Sequence, residues 1–259
     1  MHHVWGVLRH KDRKRVFEEM KGIFVIGTDT GVGKTLVSAL LCLLLKERGY
    51  DVGVMKPIET GVKEVEGVLV PQDALLLKEA SGSQDPLEFV VPYYFREPLA
   101  PAEAARREGR EIELYKILEV LKKVSKRHDL MVVEGVGGLL VPLREDTLLP
   151  ELIKAFGLKV LVVGRSGLGT INHTLLTLYY CERENIPVGG FLLNKINPSL
   201  NGSEGTNPHW IERFSGVPYL GTLPFLGEGH SILERKSLLL PLFEVSIKVD
   251  MLLERFDLK

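Results

Sequence analysis

The sequence predicts a single α/β domain whose mostly parallel sheet carries helices on both faces. Three observations predict it. Short apolar strand segments alternate with helix-length segments from Gly22 onwards, the strand segments are apolar throughout, and a glycine-rich turn follows the first of them. Wholly apolar strands are typical of parallel sheets covered on both faces. The length of 259 residues fits one domain of this class.

The first half of the chain supplies two strands and two helices in alternation. Residues 23–26 form a β-branched and aromatic strand segment, and the helical segment 35–48 is so uniformly apolar that we expect it to be buried. Residues 52–55 are predicted as the second strand, and residues 71–80 have the apolar spacing of a helix.

The second half continues the same alternation. Its predicted strands are 130–133, 160–163, 190–193 and 219–223, and its predicted helices are 111–126, 148–156 and 172–184. Residues 196–208 are rich in turn formers and are predicted as a loop. Residues 245–259 place six apolar side chains among charges, and we expect these side chains to pack on the core.

We divide the chain into an amino-terminal extension, residues 1–21, and a catalytic α/β domain, residues 22–259. The extension holds five basic residues between Arg9 and Arg15 and little apolar periodicity. This pattern favours a solvated segment or a surface helix over a nucleic-acid-binding arm.

Composition excludes several classes of protein. A net charge of −1 provides no overall positive potential that would attract nucleic acid or an acidic membrane. The longest apolar run, residues 36–45, is ten residues long, whereas a membrane span needs about 20. No signal peptide is evident, and Cys42 and Cys181 fit core thiols better than a disulfide. We therefore expect a cytoplasmic protein.

The glycine-rich turn has the features of a phosphate-binding P-loop. It reads Gly27-Thr28-Asp29-Thr30-Gly31-Val32-Gly33-Lys34-Thr35 between a strand and a helix. Its N–H groups can face phosphate oxygens, Lys34 can reach the β- and γ-phosphates of ATP, and the Thr35 hydroxyl can bind Mg²⁺. Five residues, rather than the common four, separate Gly27 from Gly33. A capping turn with a chance lysine is the alternative, but the strand–loop–helix setting favours a P-loop NTPase fold.

Two acidic residues are candidates for the rest of a magnesium site. Glu134 follows the strand segment 130–133 and precedes glycines that permit close backbone approach. Ligands of parallel sheets lie at the carboxyl ends of the strands, which favours a metal role for Glu134 over a surface turn. Asp73 stands where a helix begins, so the residues alone leave it open as a metal ligand or a simple cap.

Lys56 leaves the second strand towards the edge where the P-loop is expected. Taken alone, a lysine before Pro57 is more typical of a solvated strand end than of an active site.

Six motifs follow one another along the chain: Gly-Thr-Asp-Thr-Gly-Val-Gly-Lys-Thr (27–35), Lys-Pro-Ile-Glu-Thr-Gly (56–61), Gln-Asp-Ala (72–74), Glu-Gly-Val-Gly-Gly (134–138), Gly-Thr-Ile-Asn-His (169–173) and Pro-Phe-Leu (224–226). In this order they resemble the dethiobiotin synthetase family of P-loop enzymes. The resemblance covers about residues 22–226. It implies that CO₂, 7,8-diaminononanoate and ATP are converted to dethiobiotin, ADP and phosphate, in a homodimer that requires Mg²⁺.

The resemblance also implies roles for single residues. Lys56, Lys34 and Thr30 would contact the reacting groups, with Lys56 stabilising a carbamate intermediate. Mg²⁺ would be held by Thr35, Asp73 and Glu134. The predicted nucleotide-binding residues are Gly31, Val32, Gly33, Lys34, Thr35, Leu36, Asp73, Glu134, Gly135, Val136, Gly137, Asn194, Pro224, Phe225 and Leu226. Among these, Asn194 would contact the adenine edge, and Phe225 stands where the family often has tryptophan.

The resemblance places the second substrate between two segments. Thr60 would contact it and stands where the family commonly has serine. The helix start formed by Gly169, Thr170, Ile171 and Asn172 would bind its carboxylate across the dimer interface. His173, which has no evident acid partner, is predicted to be structural rather than catalytic.

Two other classes of protein with this fold are alternatives. Septum-site and plasmid-partition ATPases are switches whose P-loops usually carry an extra early lysine, which residues 28–31 lack. The amidotransferase-linked enzymes of corrinoid synthesis need a glutaminase region, for which this chain has no room.

Overall fold

The computed structural model of the protein describes residues 20–198, 202–227 and 232–258. The predicted amino-terminal extension therefore lies outside the described residues except for its last two. Part of the predicted loop 196–208, residues 199–201, also lies outside them.

The strands of the described chain vary from two to nine residues in length. They are β1 Gly22–Gly27, β2 Val52–Met55, β3 Ile58–Thr60, β4 Lys63–Val65, β5 Val68–Val70, β6 Tyr93–Phe95, β7 Leu130–Gly138, β8 Pro142–Arg144, β9 Thr147–Leu148, β10 Lys159–Arg165, β11 Val188–Asn194 and β12 Tyr219–Leu223.

The helices connect and cover these strands. They are α1 Lys34–Glu47, α2 Gln72–Ser81, α3 Leu87–Val90, α4 Pro101–Arg107, α5 Leu114–Val124, α6 Leu149–Phe156, α7 Thr170–Arg183, α8 Asn207–Ser215, α9 Lys236–Ser246 and α10 Val249–Arg255. Within the described ranges, none of them is long and apolar enough to cross a membrane.

Six strands form one sheet in the order β12-β11-β10-β1-β7-β2, and every neighbouring pair is parallel. The predicted parallel sheet is confirmed. The carboxyl ends of all six strands therefore meet at one edge, and β1, which leads into the glycine-rich turn, lies in the middle of the order. Three small two-stranded sheets, β3 with β6, β4 with β5 and β8 with β9, complete the topology.

The core consists of two layers, one on each face of the sheet. Along β1, Ile23 and Val25 join one layer, whereas Phe24 and Ile26 join the other. The first layer also contains the apolar faces of α1, α2, α9 and α10, and the second contains those of α5, α6 and part of α7. Because successive side chains of a strand point to opposite faces, each buried strand serves both layers.

The structure corrects some predicted boundaries. Helix α5 is shorter than the predicted 111–126, and α7 begins two residues before the predicted 172. Asn207 and Pro208, assigned to a loop from composition, begin α8, since proline is well tolerated in the first turn of a helix. In the carboxyl-terminal segment, five of the six expected core residues are buried, but Val245 is 82% exposed.

Candidate active site

The glycine-rich turn between β1 and α1 adopts the left-handed conformations that glycine permits. Gly31 has φ 72° and Gly33 has φ 95°. A side chain at Gly33 would also collide with the amide of Asn194 from β11. Gly33 is therefore required both for the backbone path and for the close approach of β11 to the loop.

Lys34 and Thr35 begin α1, so both side chains start at the amino end of this helix. The Thr35 hydroxyl donates a 2.8 Å hydrogen bond to Glu134 Oε1. Lys34 Nζ donates to the Asp29 carbonyl at 3.1 Å. Burial, followed by the charge of Lys56, lowers the pKa of Lys34 to about 8. A bound phosphate would restore its charged form.

Lys56, at the end of β2, is the centre of a buried charge cluster. Its ammonium donates to Glu134 Oε1 and to Asp73 Oδ2, the latter at 3.0 Å. The Lys56 side chain is 4% exposed and that of Glu134 is fully buried. Burial alone would lower the pKa of Lys56, but the two carboxylates outweigh burial and raise it. The structure thus places Lys56 inside the site, not in solvent.

Three oxygen-bearing side chains fit a magnesium ion. Glu134 Oε1 accepts from Thr35 and Lys56, whereas its Oε2 is buried and has no hydrogen-bond partner among the described residues. Asp73 Oδ2 also accepts from the Lys56 ammonium, at 3.0 Å. No group of three or more His, Cys, Asp or Glu in the described part of the chain could hold a metal by itself. A nucleotide-bound Mg²⁺ needs only one or two carboxylates, because phosphates and waters complete its shell.

Glu59, which was not predicted as a site residue, lies directly beside this cluster. It is 5% exposed, and its two carboxylate oxygens accept the N–H groups of Asp73 and Ala74, each at 3.0 Å. Burial, followed by the charge of Asp73, raises the pKa of Glu59 to about 7. Only the fold brings Glu59 to this helix start, 14 residues further along the chain.

The end of β7 approaches the P-loop closely. Gly138 pairs with Gly27 in the sheet register, and a Cβ built at Gly138 would lie 3.5 Å from the Thr28 carbonyl. A Cβ at Gly137 would lie 3.8 Å from Thr30 Oγ1. Of the predicted nucleotide residues in this segment, Gly137 therefore lies beside Thr30, whereas a Cβ at Gly135 would meet Phe24 and Val25 of β1.

Asn194 and the segment 224–226 lie on the other side of the P-loop. Asn194 is 3% exposed, and its Nδ2 donates to the Val32 carbonyl at 3.0 Å. Its Oδ1 is buried and has no hydrogen-bond partner within the described ranges, so an acceptor remains for a donor such as an adenine amino group. Because Asn194 pairs with Leu223 in the sheet, residues 224–226 begin next to it. The predicted contact with adenine stays a prediction.

The predicted substrate residues lie on two elements. Half-buried Thr60 ends β3, and Gly169, with φ 89°, precedes α7 at the carboxyl edge of β10. Thr170 is buried, and its N–H donates to the Gly167 carbonyl at 3.2 Å. Ile171 and Asn172 follow in the first turn of α7. Contact of this helix start with the substrate stays a prediction.

His173 contacts a cation rather than an acid. Arg165 Nη2 lies 3.3 Å from His173 Nδ1, which makes this nitrogen the acceptor. This arrangement suits the predicted structural role, because a general base would need the nitrogen free.

Comparison with known proteins identifies the relatives of this chain. A family model described as an AAA domain matches residues 21–229. The chain is 48% identical over 208 residues to the ATP-dependent dethiobiotin synthetase of Bacillus licheniformis, covering 80% of this chain and 87% of that protein. It is 47% identical over 206 residues to that of Anaeromyxobacter dehalogenans strain 2CP-C, covering 80% of this chain and 91% of that protein. The resemblance predicted from six motifs is confirmed.

A solved structure shares the fold at much lower identity. The MinC:MinD cell division protein complex of Aquifex aeolicus superposes with a TM-score of 0.53 and 13% identity, covering 92% of this chain and 94% of that chain. At this identity the likeness supports the P-loop NTPase fold and carries no statement about activity.

Proposed function

This chain belongs to the dethiobiotin synthetase family, and we propose on that premise that it closes the ureido ring of dethiobiotin from 7,8-diaminononanoate, CO₂ and ATP. The observation that supports this reaction best is the position of Lys56. A second cation beside the P-loop lysine, held by Glu134 and Asp73, suits a reaction in which both a carbamate and a phosphoryl group carry negative charge.

The reaction divides into three steps. One amine of the substrate adds to CO₂ and loses a proton, which gives a carbamate. A carbamate oxygen attacks the γ-phosphorus of ATP, so that an O–P bond forms and the bond to ADP breaks. The second amine then attacks the carbamoyl carbon, phosphate leaves with its bridging oxygen, and the amine releases a proton.

Different side chains of this protein stabilise the carbamate and the phosphates of ATP. We assign Lys34 and the P-loop N–H groups to the phosphates of ATP. Lys56 holds the carbamate oxygens, and Thr30 and Thr60 supply hydroxyls to the reacting groups and the substrate. Because Lys56 is buried and hydrogen-bonded, it is already oriented before the negative charge develops.

Thr35, Asp73 and Glu134 would hold Mg²⁺, which would neutralise phosphate charge during transfer. The unpartnered Glu134 Oε2 supports this assignment. Lys56 and Thr35 both donate to Glu134 Oε1. The Lys56 ammonium and Mg²⁺ would therefore both interact with the Glu134 carboxylate.

We also propose that two copies form a homodimer through α7 and α8. The residues of this apolar patch are Leu168, Leu176, Tyr179, Trp210 and Phe214, which are between 43% and 80% exposed. Trp210 stacks on Phe214, and the Tyr179 hydroxyl donates to the Phe214 carbonyl at 3.2 Å, so the patch is continuous across both helices. The patch adjoins the helix start assigned to the substrate carboxylate. We further propose that the enzyme acts in the cytoplasm, as expected from the sequence.

The test is a product assay. The purified protein is incubated with diaminononanoate, bicarbonate, Mg²⁺ and ATP, and dethiobiotin is sought by mass. We expect dethiobiotin in the complete mixture and none when any single component is omitted. ATP turnover without dethiobiotin would refute the ligase and favour a nucleotide switch.

A further inference from the structure

The amino end of α2 lacks a cap of its own. Its N-cap position is Pro71, and no side chain at that position bonds to the first turn. The first N–H groups of a helix have no partner within the helix, and leaving them buried and unpaired is costly. A group from elsewhere in the fold must satisfy them.

Glu59 of β3 is that group. Its Oε1 accepts the Asp73 N–H and its Oε2 accepts the Ala74 N–H, each at 3.0 Å. The carboxylate is buried and faces the positive end of the helix, whose N–H groups offset part of the cost of burying its charge. Since both oxygens are used, Glu59 fixes the position of the helix start relative to β3.

The helix start that Glu59 caps includes Asp73, and the Asp73 carboxylate contacts the buried charge cluster around Lys56. Asp73 Oδ2 accepts from Lys56 Nζ at 3.0 Å, Lys56 donates to Glu134, and Glu134 accepts from Thr35 at 2.8 Å. One connected path therefore runs from Glu59 to the P-loop. Side chains that orient ligands in this way commonly change metal affinity or activity by about 10- to 100-fold when they are removed.

We propose that Glu59 is a positioning residue for the reaction: by capping α2, it holds the Asp73 carboxylate where Lys56 and the metal use it. This inference rests on the proposed function, because it takes Asp73 as a metal ligand. Because both of its oxygens accept helix N–H groups, Glu59 would act through Asp73 rather than by contact with the metal or the substrate.

The test measures Mn²⁺ binding to the enzyme–ADP complex by electron paramagnetic resonance, alongside the rate of ring formation. Glu59→Gln keeps the size of the side chain but turns one acceptor into a donor that faces an N–H. We expect about tenfold weaker Mn²⁺ binding and about tenfold slower ring formation. The matched control is Glu212→Gln, because Glu212 also accepts a backbone N–H, that of Tyr219 at 2.8 Å, at an exposed position. It should leave both quantities unchanged.

A double-mutant cycle then asks whether Glu59 acts through Asp73. In an Asp73→Asn background, Glu59→Gln should weaken Mn²⁺ binding less than twofold further, because the residue that it positions has already lost its charge. A full tenfold loss in that background, or wild-type Mn²⁺ binding by Glu59→Gln, would overturn the proposal. If Glu59→Gln does not fold, Glu59→Asp, which keeps the charge but shortens the reach, replaces it in the same cycle.

The outcome separates this proposal from the proposed function. The expected Mn²⁺ pattern in an enzyme that makes no dethiobiotin would refute the ring-closure reaction and leave the role of Glu59 standing. Dethiobiotin formation by the wild-type enzyme, together with wild-type Mn²⁺ binding by Glu59→Gln, would refute the role of Glu59 and leave the ring-closure reaction standing.

Discussion

Lys56 contacts two carboxylates, those of Asp73 and Glu134. How deeply each of the three groups is buried determines how much stability is lost when its partner is removed. Removing one partner of a buried ion pair leaves an uncompensated charge and costs about 3–5 kcal/mol. Lys56 and Glu134 are 4% and 0% exposed, so this cost applies to them. Asp73 is 40% exposed, and water can compensate for the loss of its partner.

Lys56 separates a ligase from a nucleotide switch. Replacing it with Ala should lower ring formation by about 10²–10³, the usual loss for one preorganised electrostatic group. ATP affinity should stay nearly unchanged, since Lys34 serves the phosphates. Calorimetry and a dethiobiotin assay measure the two quantities, and exposed Lys123→Ala is the control. Ring formation at the wild-type rate in Lys56→Ala would remove the second cation from the mechanism.

The metal ligands can be tested one carboxylate at a time. Asp73→Asn and Glu134→Gln should each lower activity and raise the Mg²⁺ concentration needed for half-maximal rate, because a neutral amide is a weaker ligand. Asp73→Asn should leave the fold intact, whereas Glu134→Gln carries the buried-pair cost of about 3–5 kcal/mol, so circular dichroism checks that each variant is folded before its activity is compared. Magnesium titration curves measure the effect, and curves identical to wild type would exclude the residue from the metal site.

At the scale of elements, His128 joins three segments at the amino edge of the sheet. Its Nδ1 lies 2.8 Å from Asp51 Oδ1 and its Nε2 lies 2.7 Å from Asp85 Oδ2. Arg127 also donates to Asp85, at 2.7 Å, and Asp129 accepts the Asp51 N–H. The cluster ties the loop after α2 to the starts of β2 and β7, on the sheet edge opposite the P-loop.

This cluster makes stability depend on pH. Burial opposes the charged form of His128, but Asp51 and Asp85 outweigh it and raise the pKa of the imidazole. The resulting stabilisation is complete below the unfolded histidine pKa of about 6.5 and is lost as pH rises through the folded value. His128→Gln should therefore cost about 2 kcal/mol of unfolding free energy at pH 6 and clearly less at pH 9.

The other side of this pH window is set by Asp85. Burial would raise the pKa of Asp85, but hydrogen bonds from His128 and Arg127 lower it. The contribution of Asp85 to the free energy of unfolding is therefore complete above its unfolded pKa of about 3.9 and is lost as pH falls through its pKa in the folded protein. Urea titrations at both pH values check the His128 prediction, with exposed His209→Gln as the control. An equal loss at pH 6 and pH 9 would show that His128 contributes packing and not charge.

Elements with a long or uniform pattern could be predicted from the sequence, and short ones could not. The six sheet strands could be predicted because each is a short, mostly apolar segment in a regular alternation with helix-length segments. Strands β3 and β6 have three residues each, too few to show a period, and they pair across 35 residues of chain, as Ile58 does with Tyr93. Their existence depends on tertiary pairing, which local propensity does not encode.

The residues of the candidate site likewise fall into those that could be predicted from the sequence and those that could not. Lys34 and Thr35 follow β1, and Glu134 follows the apolar segment 130–133 of β7, so the rule that ligands lie at carboxyl edges could locate them. Glu59 could not be found, because its role depends on where α2 begins in space. One signal was present: proline at position 71 cannot cap a helix with its side chain, so the start of α2 needed an outside acceptor.

For the whole molecule, the exposed patch on α7 and α8 predicts a dimer. Leu176→Glu should shift the equilibrium towards monomer, because an unpaired charge would be buried at the interface. It should also raise the KM for diaminononanoate if the partner supplies the helix start at Gly169. Sedimentation measures the assembly, and Val245→Glu, at an 82% exposed apolar site on α9, is the control. A wild-type protein that is monomeric at assay concentration would refute the dimer.

The measurement that tests the central claim most directly is the ratio of phosphate released to dethiobiotin formed, taken from the same reaction mixture over time. A ligase in which the γ-phosphoryl group activates the carbamate must release about one phosphate per ring closed, and phosphate release must nearly stop without diaminononanoate. We expect both results. Phosphate release that continues at the same rate without diaminononanoate, with no dethiobiotin formed when it is added, would contradict the account and leave a P-loop ATPase of another kind.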